Sequence, residues 1–173
     1  MGTVIKIPAP LSADHCLDGF DCGNPSLNEW LARYALINQL ANAARTFVVC
    51  DHFRVIGFYS LAVGSVQYEE AQPRIKKGIA RHPIPIMILA RLAVDKTHHG
   101  RNVGTGLLKD ALLRAVNISE QAGVRAVFVN AKDKRAKSFY EKHGFESSLV
   151  DSLSLMLLIK DIKRSIALQP CIS

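Results

Sequence analysis

The hydrophobic residues of this chain recur with the two-residue period of strands in some segments and with the helical period of about 3.6 residues in others. Runs of β-branched and aromatic residues predict strands at 46–50, 55–66, 86–94 and 126–130, with shorter first and last strands at 4–7 and 153–159. Helical spacing predicts helices at 103–121 and 134–142. Strands that alternate with helices after an early hairpin indicate an α/β fold, an α+β mixed sheet, in a single domain over residues 1–173.

A further helix is predicted to begin at Asn24 and Pro25, because asparagine caps free helical amides and proline suits the first helical position. Apolar side chains then recur at helical spacing and are expected to form one buried face: Leu27, Trp30, Leu31, Tyr34, Ile37 and Leu40. Trp30 and Tyr34 could instead stack on nucleobases. At this spacing we expect both rings to lie in the core.

Composition narrows the class of protein. Of 173 residues, 49% are hydrophobic and 21% are charged, which is typical of a globular chain, and the formal net charge is +7. A basic surface favours polyanions, although solubility alone also accounts for it. The four cysteines form no C-x-x-C pair, so we expect no metal site. The chain shows neither a signal peptide nor an apolar run long enough for a bilayer, so a cytoplasmic protein is expected.

The most informative segment joins a strand to a helix through a glycine-rich turn. The strand ends in Leu92-Ala93-Val94-Asp95, and the turn reads His98-His99-Gly100-Arg101-Asn102-Val103-Gly104-Thr105-Gly106. Gly104 and Gly106 carry no side chain that would block a ligand, so amides at the helix start can point at an anion. A Walker A loop would need a lysine after Gly106, and a Rossmann fingerprint would need a third glycine where Lys109 stands.

A second motif runs from Asn130 at the end of a strand, through a short helix, to Gly144-Phe145. Phe139 and Phe145 are expected to be core residues, whereas Tyr140 is the candidate for chemistry.

Together the two motifs resemble the GNAT acetyltransferase superfamily. The resemblance implies a GNAT fold with splayed central strands and helices on both faces, and acetyl-CoA as acetyl donor without a metal. It further implies a set of cofactor-binding residues: Leu92, Ala93, Val94, Gly100, Arg101, Asn102, Val103, Gly104, Thr105, Gly106, Asn130, Ala136 and Phe139.

A narrower resemblance spans nearly the whole chain. Phe20-Asp21-Cys22-Gly23, Asn38-Gln39, Gly57-Phe58-Tyr59-Ser60-Leu61, Pro83-Ile84-Pro85 and Leu89–Asp95 are similar to the TacT-type toxins of bacterial toxin–antitoxin pairs. The resemblance implies acetylation of the α-amine of aminoacyl-tRNA and a block of translation. It also implies a ribbon-helix-helix antitoxin, with repression of DNA only through the antitoxin complex. The oligomeric state is left open, a homodimer included.

The residues themselves support acyl transfer to an amine. Tyr140 could protonate a departing thiolate if it faces the sulfur. Basic side chains are candidates for tRNA phosphates, with a solvated loop as the competing interpretation of 69–85: Arg45, Arg74, Lys76, Lys77, Arg81, Arg91, Lys132 and Lys134. Arg91 shares a strand face with Ala93 and Asp95, so it either attracts a phosphate or pairs with Asp95. His98 and His99 are expected to be exposed turn residues.

Two alternatives remain open at this point. One is a GNAT enzyme that acetylates protein N-termini or small amines, with activity insensitive to salt and RNA. The other is a protein that holds acetyl-CoA or an antitoxin without turnover, against which the presence of Tyr140 argues mildly.

Overall fold

A computed structural model describes residues 5–167. Within this range seven strands form one mixed sheet in the order β1-β2-β3-β4-β5-β7-β6. The strands are β1 Ala9–Pro10, β2 Arg45–Asp51, β3 Arg54–Val66, β4 Ile84–Val94, β5 Ala126–Asn130, β6 Glu146–Ser147 and β7 Ser154–Leu158. The helices are α1 Pro25–Glu29, α2 Ala35–Leu40, α3 Pro73–Lys76, α4 Val103–Ser119, α5 Lys134–Lys142 and α6 Ile159–Ala167. None of the helices found between residues 5 and 167 is long and apolar enough to cross a bilayer.

The chain divides into two compact units, of which the first comprises the residues up to Ala62 together with Leu89–Ala111. Its strands β1, β2 and β3 are joined by antiparallel pairing. A buried cluster lies over them: Leu11, Leu31, Ala35, Val48, Cys50, Val55, Phe58 and Ala93. A Cβ atom on Gly57 would lie 3.0 Å from both Leu107 Cδ1 and Val49 Cγ1, so glycine permits α4 to pack closely on β3.

The second unit comprises Val63–Ile88 and the residues from Leu112 onward. Its strand β7 pairs antiparallel with β5 on one side and β6 on the other. The buried cluster consists of Ala71, Ile75, Ile84, Ile86, Ala126, Met156 and Leu158. Arg125 stabilises the segment between β3 and β4 that contains α3. Its guanidinium donates hydrogen bonds to the carbonyls of Ile75 at 2.7 Å and Lys77 at 2.9 Å.

Most elements predicted from periodicity are confirmed, with differences at the two ends. The predicted strand at 4–7 is wrong for its described residues, which contain only an isolated bridge between Ile5 and Asp51, and β1 begins later. Position 4 lies outside the described residues. The helix α6 was missed, although Ile159, Ile162 and Ile166 recur at helical spacing. The connection 69–85 contains α3, which forms around the buried side chain of Ile75.

The predicted apolar helix face is only partly correct. Asn24 caps α1 as expected, since its Oδ1 accepts from Ser26 N at 3.0 Å. A π-helical turn, Trp30–Tyr34, then separates α1 from α2. This turn inserts a residue into the helical repeat, so the α2 residues no longer follow the phase of α1. As a result Leu31 and Ala35 are buried, whereas Tyr34, Ile37 and Leu40 are 47%, 64% and 77% exposed.

Candidate functional site

The strand–turn–helix motif of the first unit has the backbone of an anion-binding loop. The chain leaves β4, forms a short 3₁₀ turn at Lys96–His98 and reaches Gly100 with φ of 75° and Asn102 with φ of 61°. Both residues are therefore in the left-handed region, which glycine adopts freely and asparagine tolerates. These two reversals turn the backbone into the first turn of α4.

The amides of that first turn are the donors of the site. Gly106 N donates to Asn102 O at 3.1 Å, which is the first bond of the α4 ladder. The amides of Val103, Gly104 and Thr105 precede that bond, and a helix offers them no carbonyl partner of its own. Gly106 thus contributes room rather than a free amide, because a Cβ atom there would meet nothing within 4 Å. Three amides at the positive end of a 17-residue helix fit a pyrophosphate.

Asp95 fixes the position at which this loop leaves the strand. Its Oδ2 accepts from Asp21 N at 3.0 Å and from Arg54 Nη2 at 2.9 Å, and its Oδ1 accepts from Thr97 Oγ1 at 2.6 Å. The side chain is only 2% exposed. Burial alone would raise the pKa of Asp95, but these hydrogen bonds and the charge of Arg54 outweigh it and lower the pKa below its ordinary value. Asp95 therefore stays ionised and holds the loop.

The two histidines of the loop differ from each other. His98 is buried, so the expectation of an exposed turn residue is wrong for it. Its Nε2 lies 3.2 Å from Asp51 Oδ2, and its Nδ1 lies 2.8 Å from Thr97 Oγ1. His99 is exposed as expected, and its Nε2 donates to Val94 O at 2.7 Å. Both rings act on the backbone geometry of the loop.

Arg91 does not pair with Asp95, so that half of the sequence prediction is wrong. The carboxylate is committed to Arg54, Asp21 and Thr97, while the Arg91 guanidinium lies over the ring of Trp30, with Cζ 4.0 Å from the ring centroid. Trp30 in turn stacks on Phe58, with 6.0 Å between centroids and 15° between planes. Trp30 is thus half-buried against the core rather than within it as expected, and it also supports a cation.

The second unit contains the other motif. Asn130 is the last residue of β5, and Asp133 caps α5 by accepting from Ala136 N at 2.8 Å. Tyr140 is buried against Phe139 and Phe145, with ring centroids 5.2 Å and 5.4 Å away. Burial raises the pKa of Tyr140 well above the ordinary value of 10.0, so the phenol keeps its proton at neutral pH. Phe145 is a core residue as predicted, whereas Phe139 is half-buried.

The basic side chains of the connection before β4 are unequally available. Arg74 forms ion pairs with Glu146 at 2.6 Å and Asp161 at 2.8 Å, and Arg81 pairs with Glu69 at 3.0 Å. Lys76 lies over the ring of Tyr68, 5.3 Å from its centroid, and Lys77 is exposed. The two lysines are therefore better placed than the two arginines to meet a phosphate.

The remaining predicted site residues differ in exposure. Ala93 and Val103 are buried, and a second group is half-buried: Leu92, Val94, Gly104, Thr105, Ala136 and Phe139. A third group is exposed: Arg45, Gly100, Arg101, Asn102, Gly106, Asn130, Lys132 and Lys134. Sequence reasoning missed the contact between Trp30 and Arg91 and the network around Asp95, because neither joins residues that are close in the chain.

Comparisons with known proteins find relatives in both sequence and structure. The family model of an acetyltransferase (GNAT) domain matches residues 42–147. A "tRNA-acetylating toxin" of Mycobacterium tuberculosis is 40% identical over 156 residues, which cover 90% of this chain and 93% of that protein. A structure of AtaT complexed with acetyl-methionyl-tRNAfMet has a TM-score of 0.88 at 25% identity, covering 94% of this chain and 99% of the other. A crystal structure of AtaTR bound with AcCoA has a TM-score of 0.82 at 27% identity, covering 94% and 98%.

Proposed function

This chain belongs to the GNAT acetyltransferase family, and from that premise we propose that it transfers an acetyl group from acetyl-CoA to the α-amine of aminoacyl-tRNA. The observation that carries the proposal is the row of unpaired amides at the start of α4, in a chain 40% identical to a tRNA-acetylating toxin. Acetylation of that amine removes the nucleophile of peptide-bond formation, so the protein acts as a toxin that stops translation.

Acetyl-CoA supplies the acetyl thioester and the phosphates by which it is held. The amides of Val103, Gly104 and Thr105, with the loop from Gly100, bind its pyrophosphate. The backbone of β4 at 92–94 and the motif with Asn130, Ala136 and Phe139 hold the remainder of the cofactor. The ionised Asp95 and the buried His98 keep the loop in the shape that this requires.

The nature of the acceptor follows from the charge of the site. A lysine amine has an ordinary pKa of about 10.4, whereas an α-amine has one of about 7.7–8.0, which an ester next to it lowers further. An aminoacyl ester therefore presents a largely neutral nucleophile near pH 7 without a strong base. Strand β4 contains no carboxylate, and Asp95, the residue that follows it, is already paired with Arg54.

Tyr140 provides the proton for the leaving thiolate. Its raised pKa ensures that the phenol reaches the reaction protonated. A thiol has an ordinary pKa of about 8.5, so complete transfer from the phenol to a free thiolate is uphill. The proton must accordingly move while the carbon–sulfur bond breaks, as general acid catalysis in the transition state requires.

Two further parts of the proposal concern its setting. A ribbon-helix-helix antitoxin neutralises the protein, and DNA is bound only by the complex of the two. The site of action is the cytoplasm, where charged tRNA is used. Expression of the chain alone should arrest translation, and co-expression of such an antitoxin should relieve the arrest.

The test is direct chemical analysis of tRNA ends. Charged and deacylated tRNA are incubated separately with protein and acetyl-CoA, and the 3′-terminal fragments are examined by mass spectrometry. We expect an N-acetyl-aminoacyl end on the charged tRNA and no acetyl group on the deacylated tRNA. Acetylation of deacylated tRNA, or of lysine peptides at an equal rate, would overturn the proposal in favour of an enzyme of protein or small-molecule amines.

A further inference from the structure

Arg91 lies in an unusual environment for a cation. It is on β4, the strand next to the pyrophosphate loop in the chain, and it is half-buried over the face of Trp30. Burial lowers its pKa from the ordinary value, although an arginine remains charged at any physiological pH. A partly desolvated cation is costly unless other groups compensate for the lost water.

The carboxylates nearest in the chain to Arg91 and Trp30 are already paired. Asp95, the residue after the end of β4, is bound to Arg54 at 2.9 Å. Glu29, which precedes Trp30 in the chain, is bound to Arg33 at 3.2 Å. Arg91 instead contacts the indole of Trp30. A cation–π contact contributes about 0.5–2 kcal/mol and does not neutralise the charge.

The contact also orients the guanidinium. Arginine stacks the flat face of its guanidinium on aromatic rings, and in that arrangement the N–H donors at its edge are directed away from the ring. Those donors match the oxygens of a phosphate in a bidentate arrangement. Trp30 is itself held by stacking on the fully buried Phe58, so the support is rigid.

We propose that Trp30 and Arg91 form a preorganised receptor for a phosphate at the acceptor end of the charged tRNA. Arg91 binds the phosphate, and Trp30 is a positioning residue that presents the edge of the guanidinium. The same charge repels cationic acceptors such as lysine side chains. The inference rests on the proposed function, and it names the residues by which that site selects a nucleic-acid acceptor.

The first experiment compares two acceptors of one amine. Arg91→Gln is assayed with charged tRNA and with the methyl ester of the same amino acid, which has the α-amine and the ester but no phosphate. We expect kcat/KM for charged tRNA to fall about 10- to 100-fold, the range of a lost charged hydrogen bond, and the methyl ester rate to be unchanged. Arg164→Gln on α6, which removes the same charge elsewhere, should leave both rates unchanged.

Further measurements test whether the phosphate belongs to tRNA or to acetyl-CoA, and whether Trp30 positions Arg91. Acetyl-CoA affinity, measured by calorimetry, should be the same in Arg91→Gln as in the parent protein, and the salt slope of tRNA binding should become shallower by about 0.7–0.9. Trp30→Leu keeps an apolar contact with Phe58 but no π face, so it should reproduce part of the loss for tRNA. Trp30→Phe keeps an aromatic face, so it should retain most of the activity with tRNA.

The results that would overturn the inference are specific. Unchanged kcat/KM for tRNA in Arg91→Gln, an equal loss with the methyl ester, or a fall in acetyl-CoA affinity would each exclude a tRNA phosphate at this position. A Trp30→Leu variant with full tRNA activity would exclude the positioning role. If the parent protein fails to acetylate charged tRNA at all, the proposed function fails, which the methyl ester assay distinguishes from failure of the receptor alone.

Discussion

We expect single residues of the pyrophosphate cradle, the loop and first helical turn from Gly100 to Gly106, to set the affinity for acetyl-CoA. Gly104 is the second residue of α4, between two other residues with unpaired amides. We expect Gly104→Asp to weaken acetyl-CoA binding at least 10-fold, because a carboxylate would stand where the pyrophosphate binds. Calorimetry on the folded variant measures this. The matched control is Gly123→Asp, which makes the same exchange far along the chain, after the end of α4. Unchanged acetyl-CoA affinity in Gly104→Asp would show that the pyrophosphate does not bind at this loop.

Tyr140 is expected to act on the rate and not on binding. Tyr140→Phe keeps the ring contacts with Phe139 and Phe145 and removes only the hydroxyl. Acetyl-CoA affinity should therefore be unchanged, while the single-turnover rate falls by about 10²–10⁴-fold, the usual contribution of general acid catalysis. Rapid-quench measurement with charged tRNA gives this rate. A variant as fast as the parent protein would show that the leaving thiolate needs no proton from Tyr140.

How much of the site can be predicted from the sequence depends on whether its residues are neighbours in the chain. The glycines and amides of the cradle are contiguous, so their role was predicted from spacing. The partners of Asp95 were not, because Asp21 and Arg54 are 74 and 41 positions away from it. His98 was misjudged for the same reason, since its burial depends on Asp51 in a strand that precedes it by 47 positions.

At the scale of elements, the loop between β4 and α4 depends on the hairpin of β2 and β3. His98 joins the loop to Asp51 at the end of β2. We expect His98→Leu to raise the dissociation constant of acetyl-CoA several-fold, because the loop loses its bond to Asp51 and leaves that carboxylate without this partner. His98→Asn, which keeps a polar side chain in reach of Thr97, should recover part of the affinity. Equal affinity in His98→Leu and the parent protein, by calorimetry, would mean that Asp95 alone holds the loop.

The connection that contains α3 is the element on which tRNA affinity should depend most. Each phosphate contact releases counterions and contributes a slope of about −0.7 for a single strand. Changing both Lys76 and Lys77 to Gln should make the salt dependence of tRNA binding shallower and leave acetyl-CoA affinity unchanged. Changing Arg74 to Gln instead should cost stability, because Glu146 and Asp161 lose their partner. Salt-independent tRNA binding in the parent protein would contradict this element's role.

Element boundaries were predictable where the repeat of the sequence is regular. Strand β5 and helix α5 have the predicted bounds, since both are bracketed by clear start and stop residues. The helix after Asn24 was predicted with the wrong buried face, because a single π-helical turn changes its phase and leaves no signal in apolar spacing.

For the whole molecule, several carboxylates connect stability to pH. Hydrogen bonds from the Gly23 amide and Asn28, and the ammonium of Lys96, lower the pKa of Asp21 to about 2. The pKa values of Asp51 and Asp95 are also below the ordinary 3.8. A group with a lowered folded pKa stabilises the folded state above its ordinary pKa and loses that effect as the pH falls through the folded value. Between pH 5 and 7 these groups are ionised in both the folded and the unfolded state, so they should change the melting temperature little across that range. Stability should fall steeply below about pH 4.

Asp95→Asn tests this assignment. The variant cannot lose a charge at low pH, so its melting temperature should be lower than that of the parent at pH 7 and should depend less on pH below 4. Asp14→Asn, an exposed carboxylate of the first unit, serves as the control. Parallel curves for Asp95→Asn and the parent protein would assign the acid sensitivity to other groups.

The hydrogen bond between Asp21 and Asp95 also has a consequence for the order in which the protein folds. It closes a loop of 74 residues, so the cradle reaches its final shape only after a distant part of the chain has folded back onto the end of β4. Closing a long loop costs entropy before any contact compensates it, and chains rich in such contacts fold slowly. A newly made molecule therefore passes through a period in which α4 can already exist as a helix while the cofactor site is incomplete.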